Sequence, residues 1–137
     1  MQHALYLITP FAAWLVAGCL KFAINSLRAG RPAFGLIGYG GLPSNHSAIV
    51  SSTAALIALR EGMAHPAFGV AVTLAFIVML DANSLRRQIG RHAEAINTLR
   101  PDAEKPLRER MGHTRVEIAA GIITGCFVAW ALNALAG

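Results

Sequence analysis

Apolar positions along this chain fall into four runs, separated by stretches rich in polar and turn-forming residues. The first covers residues 4–24, about 20 residues, the length a helix needs to cross a bilayer. The second, residues 47–59, is short and rich in Ser, Thr and Ala. The third opens at Pro66, where proline suits a first helical turn. It runs through AFGVAVTLAFIVML to Asp81, and its helical pattern continues into the polar segment SLRRQIGRHAEAINTL. The fourth covers residues 116–135. Residues 25–46, 60–65 and the polar stretch 100–114 connect them. The pattern predicts an all-α integral membrane bundle of about four transmembrane helices, in a single domain over residues 1–137. The second and third runs are also short enough for re-entrant or interior helices, and small residues suit close helix packing in a bilayer.

Composition agrees with that reading. The chain is 55% hydrophobic and 14% charged, against roughly 25% charged in soluble domains. Its net charge of +5 fits nucleic acid, a membrane surface or phosphorylated ligands. No Lys/Arg-rich low-complexity tail is present, so nucleic acid is set aside. Cys19 and Cys126 lie in apolar runs and read as small buried hydrophobes, not as a disulfide framework or a metal site. The first run starts close to Met1 without a basic segment or a small-residue cleavage site, so no removable signal peptide is expected.

If all four runs span, residues 25–46 and 100–114 face the same side. That side holds Lys21, Arg28, Arg31, Arg86, Arg87, Arg91, Arg100, Lys105, Arg108, Arg110 and Arg115, eleven of the 12 Lys and Arg residues. Only Arg60 lies opposite. The positive-inside rule then makes the cationic side cytoplasmic and puts both termini outside.

The same side collects the residues able to do chemistry. GGLPSNHSA is a glycine- and proline-broken loop feeding a helix N-terminus, where free N–H groups and the helix dipole attract anions. Ser44 and Asn45 can cap or donate there, and His46 can give a proton to a leaving oxygen. An ordinary capped turn would look the same. In GHTRVE, His113 and Glu117 are four apart and share a helix face. The carboxylate can hold one imidazole N–H and leave the other nitrogen free to attack. A solvated helix-start pair is the plainer reading. The spacing would also suit two metal ligands, but no third lies nearby and H-E-x-x-H is absent. Asp81 ends the third run with Arg86 and Arg87 beyond it, and can pair with a cation and hold it. Arg forks bind phosphate oxygens bidentately, while lysine acts as a point charge. Arg91, Arg100, Lys105 and Arg115 read as a solvated or headgroup-facing surface. Two histidines, a carboxylate and a cation cluster on one face make a phosphoryl-transfer constellation.

At this point the motifs resemble a known family. PSNH resembles the P-S-x-H motif of the type-2 phosphatidic acid phosphatase superfamily, which includes vanadium haloperoxidases. GHTRVEIAAG resembles its last motif, with Glu117 in place of the usual Asp. Taken together, GGLPSNHSA, DANSLRRQIG and LRERMGHTRVEIAAG look most like a divergent bacterial and plant branch, over residues 21–125. The resemblance implies that His113 is a nucleophile forming a phosphohistidine, oriented by Glu117, with His46 protonating the leaving group. It implies phosphate binding by Lys21, an Arg of the first connection, an Arg near the third motif and the backbone of residues 44–46, with no metal or other cofactor. The departures are specific. The Arg that follows Lys21 after six intervening residues is Arg28, followed by Ala29, whereas the Arg-Pro pair is Arg31-Pro32, which is favoured here. The place of the usual Ser-Arg is Leu107, with Arg108 one position off and Arg86 and Arg87 as the other choices. Asn45 stands for the usual Gly. Family members commonly have six helices.

The expected activity is hydrolysis of a lipid phosphate or a prenyl diphosphate at a cytoplasmic membrane face, in a bacterial inner or plasma membrane. A phosphotransferase on the same histidine and a degenerate protein that binds anionic lipid are the alternatives. A haloperoxidase is remote, since that branch is soluble. The expected partners are the lipid substrate and membrane lipids, with no nucleic acid; a bundle this small can also pair as a homodimer.

Overall fold

The computed structural model describes residues 4–34 and 41–137. The described part of the chain is helical, without strands. Helix α1 is Ala4–Ala29, α2 is Asn45–Arg60 and α3 is Pro66–Leu80. A π-helical turn, Asp81–Leu85, joins α3 without a break to α4, Arg86–Leu99, and α5 is Arg115–Ala136. The four predicted runs are therefore present, with shifted ends. Helix α1 continues past residue 24 to Ala29, so Lys21 lies within the helix and not at its end. Helix α2 starts at Asn45, because Ser44 caps it, and His46 falls in its first turn.

Among the described residues, three helical segments are long and apolar enough to cross a membrane: Ala4–Ala29, Pro66–Leu99 and Arg115–Ala136. Helix α2 has 16 residues, about 24 Å at 1.5 Å per residue, against roughly 30 Å of bilayer core. It is the interior column, packed against α1, α3 and α5. Its buried side chains are small or aliphatic: Ser47, Ala48, Ser51, Ser52, Leu56 and Ile57. The outer helices turn large apolar groups outward, including Leu7, Phe11, Phe76 and Phe127, each at least 60% exposed. Such a surface suits a hydrocarbon solvent and not water. Cys19 and Cys126 are free and exposed on this outer face, and not buried as their apolar surroundings suggested. Depth in the bilayer is not depth in the protein.

The α2–α5 seam is the tightest contact. Added Cβ atoms at Gly121 and Gly125 would each lie 2.4 Å from a backbone carbonyl oxygen of the facing chain, Ser44 O and Ala48 O. The G-x-x-x-G spacing places both glycines on one face of α5, letting backbones touch. At one end of the bundle Tyr6 Oη donates to Glu61, and Arg60 Nε donates to Asn133 Oδ1 at 2.8 Å. These contacts tie the start of α1 to the ends of α2 and α5. The opposite end therefore holds the close of α1, the start of α2, the close of α3 and the start of α5.

The α3–α4 rod has 34 residues, about 51 Å, so α4 projects beyond the apolar layer. The chain returns along it. Asn97 Nδ2 donates to Leu107 O and Glu109 Oε1 at 2.8 Å, and its Oδ1 accepts from Leu107 N at 2.7 Å. An added Cβ at Gly90 would meet Glu109 O at 2.2 Å, so only glycine permits this approach.

Candidate active site

Helix α5 opens on a capping box that also organises the site. Thr114 Oγ1 accepts from Glu117 N at 3.2 Å, and Glu117 Oε2 accepts from Thr114 N at 2.9 Å. The same Oε2 lies 3.2 Å from His113 Nδ1. A carboxylate only accepts, so Nδ1 carries the proton and Nε2 keeps its lone pair. His113 is 7% exposed. Its backbone N donates to Ala82 O of the π turn at 2.9 Å. Gly112, at φ +87°, makes the turn that delivers it. Burial pushes the His113 pKa below its ordinary value; hydrogen bonding to Glu117 opposes that, and the charges of Lys21 and Arg86 reinforce it.

Facing it, the His46 ring centroid is 6.2 Å from that of His113. His46 Nε2 lies 3.4 Å from Arg86 Nη2. Guanidinium only donates, so this nitrogen is the acceptor. Arg86 is in turn held by Asp81, Nε to Oδ2 at 3.0 Å. Ser44 N donates to Glu117 O at 2.9 Å, locking the starts of α2 and α5 together. Two helix N-termini thus start side by side beside the histidines, and a helix start favours anions. Among the described residues no three metal-ligating side chains cluster.

A family model described as "Divergent PAP2 family" matches residues 2–128 of this chain. The chain belongs to the divergent PAP2 family. It is also 30% identical, over 87% of each chain, to the "Uncharacterized membrane protein YuiD" of Bacillus subtilis (strain 168). No solved structure matches it.

Within this divergent PAP2 bundle, the predicted residues separate by position. His113, Glu117, His46, Arg86 and Asp81 meet directly. Lys21 is half-buried in α1, close enough for its charge to act on both histidines. Ser44 is fully buried and its Oγ accepts from Ser47 N at 3.3 Å, so its hydroxyl serves as the α2 cap. Asn45 Oδ1 is buried and meets no hydrogen-bond partner among the described residues. Arg87 is exposed and its stem lies against Gly112. Arg31 is exposed just beyond the end of α1. Of the glycine-rich stretch, residues 38–40 lie outside the described residues.

Three residues were not singled out from sequence. Thr114 caps α5; the T-x-x-E spacing carries that signal. Asn97 docks the return segment, and Asn83 places an unpartnered buried Oδ1 in the π turn. Nothing in local sequence marks either of these two.

Proposed function

We propose that this protein is a membrane lipid phosphatase working through a phosphohistidine, with a lipid monophosphate or prenyl diphosphate as substrate. The observation that carries the reading is the His113–Glu117 pair set opposite His46 on an Asp81-held Arg86. His113 Nε2 attacks phosphorus, and the P–O bond to the leaving group breaks. His46, entering as the imidazolium with Nε2 released from Arg86, gives that oxygen its proton. Glu117 balances the charge that develops on the phosphorylated imidazole. A water then attacks the phosphohistidine, giving its proton to His46; the P–N bond breaks and phosphate leaves. Lys21 and Arg86 carry the phosphate charge, Asn45 and the first-turn N–H groups of α2 add donors, and Arg31 and Arg87 form the exposed approach.

The site opens, in this reading, to the cytoplasm of a bacterial inner or plasma membrane, because eleven of 12 cations share its side. The test is phosphate release by detergent-purified protein from farnesyl diphosphate, undecaprenyl diphosphate and phosphatidic acid, each with and without EDTA. EDTA-resistant release that His113→Ala abolishes supports the mechanism. Release abolished by EDTA, or none from any substrate, refutes it.

A further inference from the structure

A groove of about 590 Å³ runs along the outer face of α1 and reaches Asn45, the residue before His46. Lys21 and Asn45 form its polar end. Trp14 stands at the other, seven residues or about 10 Å along the helix. Between them the walls are apolar, with Phe22 on α1 and Phe34 just beyond it. The volume is that of a small-molecule site.

Gly18 lies in this groove, and its surroundings differ from those of the packing glycines. An added Cβ there would find only Asn45 Nδ2, at 3.9 Å. Glycine is a poor helix former, and the chain's own packing does not call for it at this position. Its missing side chain leaves space in the groove. An occupant with an apolar body and an anionic head matches both ends. A second copy matches less well: two copies side by side would bring their eleven same-side cations toward each other.

We propose that this groove seats a single hydrocarbon chain of the phosphorylated substrate, entering sideways from the bilayer, with Gly18 setting the passage and Lys21 fixing the head. This rests on the phosphatase reading of the adjoining site. One helix face with one notch accommodates one chain, so single-chain phosphates are preferred over two-chain lipids.

Two measurements test it, one of them independent of catalysis. In the first, kcat/KM is compared for dodecyl phosphate and butyl phosphate. Gly18→Leu is expected to lower the dodecyl-to-butyl ratio about tenfold, the scale on which a hydrophobic pocket discriminates. Gly69→Leu, at an α3 glycine with nothing within 4 Å of an added Cβ, leaves the ratio unchanged. In the second, Cys19, which lines the groove, is alkylated by a maleimide with Cys126 as internal reference. Dodecyl phosphonate is expected to slow Cys19 and not Cys126, and Gly18→Leu to remove that protection. An unchanged ratio, or a Cys19 rate indifferent to the phosphonate, overturns the proposal. So does a Cys19 already blocked without phosphonate, which means that a second copy covers the groove. If the wild type hydrolyses neither phosphate, the phosphatase reading fails, and Cys19 protection still decides the groove.

Discussion

Along the α2–α5 seam, Gly121 and Gly125 press against backbone carbonyls of the opposing segment, and the two helix starts are pinned by Ser44 N to Glu117 O. On the outer face of α1, an added Cβ at Gly18 would meet only Asn45 Nδ2, at 3.9 Å. One residue type serves two ends. In the seam its small size lets helices touch, so that His46 and His113 are held at a set separation. On α1 its small size leaves room beside the bilayer. Glycine spacing alone therefore does not reveal purpose; what a Cβ would strike does.

Variants can sharpen that contrast. The largest effect is expected at the chemistry the seam holds: His113→Ala lowers phosphate release by about a thousandfold or more, on the scale of losing a nucleophile, with little change in thermal stability. A melting temperature that falls with activity would mean that His113 acts through folding. Next comes Gly125→Val, where Ala48 O, Ser51 Oγ and Ser52 N all crowd an added Cβ. Overpacking there costs about 3 kcal/mol, read as a large drop in melting temperature in detergent. A mild response would show that the seam can open. Glu117→Gln is intermediate. It weakens the capping box by about 1 kcal/mol, and it removes the charge that raises the His113 pKa.

The pH dependence follows from the same pair. The folded state holds His113 neutral, with a pKa below its ordinary value of 6.5. Its contribution to stability is present above that ordinary value and is lost as pH falls through the lower folded value. Activity needs the free Nε2, so the acid limb of kcat/KM is expected below 6.5, and Glu117→Gln moves it lower still. A limb at or above the ordinary value would contradict the buried, neutral histidine. The smallest effect is Gly18→Ala, expected to stabilise the bundle by about 0.5–1 kcal/mol, the opposite sign from the seam. Destabilisation there would erase the contrast between the two faces.

Much of the architecture was legible in the chain. Long apolar runs dictate helices, because in hydrocarbon every backbone polar group must be satisfied within the segment. The motifs around His46 and His113 stood out because polar residues interrupt those runs at one membrane face. The ends of α1 and α2 were harder to read. Helix α1 runs on to Ala29, where residues such as Asn25 and Ser26 are no longer apolar, so hydropathy placed its end too early. Exposure of Cys19 and Cys126 was missed for a related reason: apolarity reports the bilayer and the protein interior alike.

By itself, the sequence determined the helical class, and it marked His46, His113 and Glu117 as candidates, all consequences of local pattern and spacing. Only the tertiary structure decided which cation meets His46, that Arg31 is exposed while Arg86 reaches His46, and that Gly18 lines a groove while Gly121 faces Ser44. Those outcomes depend on how four columns rotate about their axes. That rotation is set by long-range contacts between helices, and the spacing within one helix does not name the partner it faces.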